Sequence, residues 1–187
     1  MEKIFSLFKL LLPFFILILF SGCLTFHKVS YLVKLTNPTE GTVNLTAYDI
    51  RSTAKDSKEF EHDKNNLFQY MLKSEQFIKD QKTQGKDILS RNLYVENGEL
   101  IGQGEYKFTE IKNVEGMKYE GGFHYLNLSL DDSVISTNGE IVKSKEFKRI
   151  MWDSTFTELK FTMLGNSFQQ GGPFRSLAPY YNQKKKK

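Results

Sequence analysis

The chain has 187 residues, 40% of them hydrophobic and 14% aromatic, which suits one ordinary domain with a real core and excludes global disorder. Its one cysteine, Cys23, excludes an intrachain disulfide framework and a multi-cysteine zinc site. Of the net charge of +4, Lys3 and Lys9 against Glu2 hold +1 and Lys184–Lys187 hold +4, so the body between is near neutral at −1, and a basic tail without a basic face argues against nucleic acid as a partner.

Residues 1–9 carry two lysines, and residues 10–20 (LLLPFFILILF) are an unbroken apolar run. This is the layout of a secretory signal. Eleven helical residues reach only about 17 Å, against about 30 Å of bilayer hydrocarbon, and Pro13 interrupts the run. A cleaved signal is therefore expected over a retained anchor. Small residues, Ser21 and Gly22, precede Cys23 as a signal peptidase requires.

Beyond Cys23 the chain alternates at once. Val29, Tyr31, Val33 and Leu35 face one way and Lys28, Ser30 and Lys34 the other. Asn37–Gly41 reads as a turn. Val43, Leu45 and Ala47 resume the alternation, and Tyr48 and Ile50 shift its phase, which predicts a hairpin with a bulge. The charged stretch Ala54–Asp63 reads as loop. Leu67, Phe68, Met71, Leu72 and Ile78 then predict one amphipathic helix over about 63–81, stopped near Gly85 and covering one face of the sheet.

Ile88 to Val95 and Leu100 to Phe108 read as strands joined by Asn97-Gly98, a strong two-residue hairpin signal, with Gly102 and Gly104 marking a bulge or close approach. Residues 121–130 are apolar on both faces, as in a central strand. Two or three short strands follow, the last over about Thr157–Leu164. From Asn166 the pattern decays into Gly, Gln, Pro and Lys, which predicts a flexible basic tail, with Phe174, Leu177 and Tyr180 as candidates for transient docking. The expected organisation is a signal over 1–22, one α+β domain over 23–165 and a tail over 166–187. The fold class is antiparallel sheet and hairpins packed with one main amphipathic helix.

Phe20-Ser21-Gly22-Cys23, with Leu19 before it, resembles the lipobox of bacterial lipoproteins, with Phe20 where Leu is commonest. The resemblance implies cleavage after Gly22 and lipidation of Cys23. Two or three acyl chains anchor stably, because each buried CH₂ contributes about 0.8 kcal/mol. Leu24 in place of Asp implies the outer membrane, in a cell that has one. Further along, Val134–Gly139 and the strand carrying Trp152-Asp153 resemble the Ser/Thr-x-Asn-Gly turn and Trp strand of LppM-type lipoprotein domains, with Asp132-Ser133 where Pro-Gly is usual. That resemblance runs over about 23–164 and implies an envelope-facing α+β domain and a lipid or glycolipid ligand. Read by themselves, Asn138-Gly139 is a tight turn needing positive φ and Trp152 a core anchor.

Catalytic signals are sparse. Cys23 is taken by lipidation, and no Gly-x-Ser-x-Gly elbow exists. His27, His62 and His124 fall in different elements, and Asp131-Asp132 lacks the spacing of a calcium loop. Neither Gly121-Gly122 nor Gly171-Gly172 is followed by the Lys-Ser/Thr of a phosphate loop. Lys184–Lys187 suit anionic headgroups or simple solvation. The expectation is a non-enzymatic envelope lipoprotein without a cofactor. It would be held to a membrane through its lipid and bind a lipid, glycolipid or envelope protein, in a pocket sought between the helix and the sheet. A structural assembly subunit and an envelope hydrolase are the alternatives.

Overall fold

A computed structural model of the chain describes residues 24–165 and 174–181. Gly22 and Cys23, the residues read as cleavage and lipidation sites, lie outside them, as do Gly171-Gly172 and Lys184–Lys187. The elements run β1 (Leu24–Thr25), β2 (Lys28–Asn37), β3 (Glu40–Tyr48), β4 (Arg51–Ser52), α1 (Ser57–Asn65), a π-helical turn (Asn66–Met71), α2 (Glu75–Thr83), β5 (Lys86–Glu96) and β6 (Glu99–Phe108). A 3₁₀ turn (Ile111–Asn113) leads to β7 (Lys118–Glu120), β8 (Phe123–Leu128), β9 (Val134–Thr137), β10 (Glu140–Lys143), β11 (Lys148–Asp153) and β12 (Glu158–Leu164). After the undescribed segment come β13 (Arg175–Ser176) and a 3₁₀ turn (Ala178–Tyr180).

The centre is a six-stranded antiparallel sheet of order β5-β6-β3-β2-β12-β9. Its alternation follows the sequence. Val33, Val43, Tyr106 and Leu159 lie in register across four strands and are all buried. Two layers cover this face side by side. The four-stranded sheet β10-β11-β8-β7 brings Leu126, Ile150 and Trp152, with Ile111, Val114 and Met117 of the preceding loop. The helices bring Phe60 and Leu67 over Ile50, Leu93 and Leu100, beside the small sheet β1-β4-β13. α+β with antiparallel sheet therefore holds.

The expected single helix is replaced by two helical segments, α1 running directly into the π turn, and α2. The first starts at Ser57, within the stretch read as loop, because Asp56 caps it: its Oδ1 accepts from the Glu59 N–H at 2.8 Å, and Glu59 Oε2 accepts from the Lys55 N–H at 3.0 Å. The break comes at Ser74, whose extended ψ of 130° ends one helical segment and whose Oγ caps α2 through the Gln76 N–H at 3.1 Å. Arg91 Nη1 donates to the Met71 and Ser74 carbonyls, each at 2.9 Å, and so satisfies oxygens that the break leaves open. α2 buries no residue fully, so most of the apolar cover comes from α1 and the π turn.

Two further expectations are corrected. The phase shift at Tyr48 and Ile50 is an exit from the strand, not a bulge, with Asp49 at φ 53°. The tail is partly built into the fold: β13 pairs with β4, Leu177 is fully buried, and Tyr180 meets Phe60 edge-on at 5.3 Å. Burial of an isolated Leu offsets the ordering of those residues, which local polarity alone does not reveal. Other signals hold. Asn97-Gly98 sits at φ 51° and 81°, as a two-residue hairpin requires, and a Cβ on Gly102 would stand 2.9 Å from Ile50 Cδ1.

Candidate functional site

With one face of the six-stranded sheet covered, the other is open. The strand register sets six side chains in one row across it: Asn92, Gln103, Thr46, Ser30, Thr162 and Ser136, one from each strand. All six are uncharged, and all carry hydroxyl or amide groups. Ser30 and Thr162 share a hydrogen bond of 2.9 Å. The side chains of Asn92, Gln103, Thr46 and Ser136 make no hydrogen bond to the described protein.

The neighbouring row is Ser90, Glu105, Asn44, Leu32 and Lys160, again in direct register. Between these rows and the β9 end lies an open trough of about 560 Å³, whose lining includes Ser30, Leu32, Asn44, Thr46, Ser136 and Lys160. A second hollow of about 370 Å³ continues past Asn138 and Lys160 to Thr155 and Glu158. On the opposite side of the polar row, alternation places Tyr94 and Ile101, paired across β5 and β6, with Tyr48 on β3. Lys28 Nζ sits 4.8 Å over the Tyr48 ring.

Charges flank the polar row on this face: Glu105 in the neighbouring row, Lys28 beside Tyr48, and Lys160 with Glu158 at the β12 side. Lys160 Nζ lies 2.8 Å from Glu158 Oε2, and its hydrogen bond first, then its charge, hold the Glu158 carboxyl below its ordinary value. Lys34 stands opposite Glu158 in register.

Asn138 forms the wall of the trough, and its amide is committed. Oδ1 accepts from the Lys160 N–H at 2.7 Å and from Trp152 Nε1 at 2.8 Å, while Nδ2 donates to the Glu158 carbonyl at 2.8 Å. The side chain extends the ladder of β12 and ties it to the second layer. Neither Asn138 nor Gly139 has positive φ, so the tight-turn reading of that pair is corrected. Gly139 is required by space: a Cβ there would lie 2.6 Å from Trp152 Nε1 and from the Met151 oxygen. Trp152 is the core anchor expected of it.

The histidines stand apart. His27, in the bend before β2, and His62, in α1, are exposed, and His124 is buried with Nε2 2.7 Å from the Pro38 oxygen and its ring against Tyr119. Asp132 caps a turn through the Ser129 N–H, and Gly121-Gly122 is the β7–β8 hairpin turn at φ 60° and 81°. Among the described residues, no three His, Cys, Asp or Glu side chains gather into a metal-ligating group.

Tyr31, Tyr106, Lys86 and Glu115 form a polar cluster at the edge of the core, which no local pattern marks. Burial first, then Glu115, push the Tyr31 phenol well above its ordinary pKa, and Tyr106 is raised in the same way. Lys86 Nζ stands 5.3 Å over the Tyr106 ring and 3.8 Å from Glu115, whose φ is 51°. Both phenols stay protonated, and the cluster pins the 111–117 loop.

The sequence suggested a hollow between helix and sheet; these two lie away from the helices. The parity of each strand was legible, but the row across strands depends on register. Comparison with protein-family models, curated proteins and solved structures returned no match for this chain.

Proposed function

We propose that this chain is a bacterial envelope lipoprotein, cut after Gly22 and tethered through Cys23, which works without catalysis as a binding protein. Its ligand surface is the open face of the six-stranded sheet, and its ligand is a lipid, a glycolipid or an envelope partner. The observation that carries the binding reading is the trough of about 560 Å³ beside unpaired hydroxyl and amide groups. Antiparallel sheets commonly face water on one side, so openness alone is no argument. What supports the reading is a concave, hydrogen-bonding lining around Leu32, which gives a ligand both polar contacts and an apolar floor. In a diderm cell, Leu24 after the cysteine favours the outer membrane.

Among the described residues no helix is long and apolar enough to cross a membrane. The tether is tested by labelling cells with a palmitate analogue. Cys23→Ala should lose the label and leave the membrane fraction; label retained in the variant would sink the anchor. The surface is tested by mass spectrometry of material that co-purifies with the full chain. Leu32→Glu should lose that material while the thermal transition stays in place, and equal recovery from both proteins would overturn the site.

A further inference from the structure

We propose that the open face takes an extended, uncharged oligosaccharide chain, laid across the strands along the row from Asn92 to Ser136. This rests on the open face being the ligand surface and names the class of ligand it takes.

Length is the first argument. Six strands at about 4.8 Å spacing make the row about 24 Å long. A single headgroup would occupy only part of it. Chemistry is the second: the row holds two amides and four hydroxyls, each able to donate and to accept, as the vicinal hydroxyls of a sugar require. No charged residue stands in the row itself, and the two lysines beside it are engaged, Lys28 over the Tyr48 ring and Lys160 with Glu158, so the row offers a phosphate or an acidic peptide no free cation. Alongside, Tyr94 and Tyr48 flank Ile101 and supply flat apolar surface for the carbon faces of sugar rings.

Shape is the third argument. Adjacent strands rotate by about 20–25°, so five steps turn the face through roughly 100° or more. A rigid protein partner would touch part of such a row, whereas a chain with rotatable linkages follows it. Protein interfaces also centre on aromatic or Arg anchors, and the row has none.

The test uses the full chain in detergent micelles with malto-, cello- and chito-oligosaccharides of two to seven units, read by saturation-transfer NMR and calorimetry. At least one series should bind, with the heptamer at least about tenfold tighter than the dimer, equivalent to one or two added hydrogen bonds. Thr46→Glu, at the centre of the row, should weaken the heptamer at least about tenfold without shifting the thermal transition, and phosphate should not compete. Failure of all three series to bind would overturn the inference, and so would equal affinity for dimer and heptamer. If lipid still co-purifies and is lost in Leu32→Glu, the ligand surface survives and only the glycan class falls. If no material is retained either, both fall.

Discussion

Replacing Asn138 by alanine removes one acceptor that serves two donors and one donor that serves a carbonyl. Trp152 is 1% exposed, so its Nε1–H, now bonded at 2.8 Å to Asn138 Oδ1, would be left buried without a partner. Such an orphan costs about 1–3 kcal/mol. The bonds to the Lys160 N–H and the Glu158 oxygen are exposed, and water replaces them at a cost of about 0.5 kcal/mol each. The expected loss is therefore about 2–4 kcal/mol, or roughly 5–15 °C in Tm for a domain of this size.

Urea unfolding of the full chain, followed by Trp152 fluorescence and by far-ultraviolet dichroism, measures it. Asn138→Asp keeps both accepted bonds but turns a carboxylate oxygen towards the Glu158 carbonyl where Nδ2 donated, an exposed contact that side-chain rotation and water relieve, so it should cost about 1–2 kcal/mol, less than the alanine variant. The ordering matters more than either value. If Asn138→Ala lies within about 0.5 kcal/mol of the parent, or if the Asp variant is the worse of the two, the amide is not the tie between the layers.

Gly139→Ala should cost about 1–3 kcal/mol, seen as a lower urea midpoint, because its Cβ would overlap the Trp152 ring and the Met151 oxygen. Parent-like stability would place Trp152 elsewhere. Leu177→Ala should lose about 2–4 kcal/mol and speed tryptic cleavage at Arg175, since Leu177 is fully buried; unchanged proteolysis would undock the segment. Tyr70→Phe should raise the Asp80 pKa towards the ordinary carboxylate value, because the 2.5 Å bond from Tyr70 first, and Gln76 second, hold it down. A depressed folded pKa means that this link stabilises above the ordinary carboxylate pKa and is lost as pH falls through the depressed one. An Asp80 NMR titration identical in both proteins would exclude the link.

What the sequence disclosed follows the range of the interaction behind each feature. Asn97-Gly98 and the alternation of Val29 to Leu35 are local, and both stand where they were read. The start of α1 was also local, written as Asp56-Ser57-Lys58-Glu59, but the charge of the stretch hid the cap. Leu177 was legible only as a docking candidate, because its burial depends on Phe60, Leu67 and Leu100 from elements far away in sequence. The Asn138 tie was misread for the same reason: its partners are 14 to 22 residues on, and its backbone needs no special φ.

The row on the open face is the extreme case, since each strand contributes one member and only register aligns them. Its composition is what separates it from an ordinary wet sheet. Solvent faces of antiparallel sheets are commonly stabilised by cross-strand pairs of opposite charge. Here Lys34 on β2 stands opposite Glu158 on β12, so the sheet is able to carry them. The centre of the face holds Thr46 and Ser30 opposite each other, flanked by Gln103 and Thr162. Short hydroxyl side chains keep that centre low, while the tied Asn138 raises its β9 end, and together they make the trough. A longer charged residue at position 30 or 46 would fill the hollow and still solvate well, at little cost to stability. That makes Thr46→Lys a clean discriminator: a row that only meets water should tolerate it in both stability and binding, whereas a ligand row should keep its fold and lose its ligand.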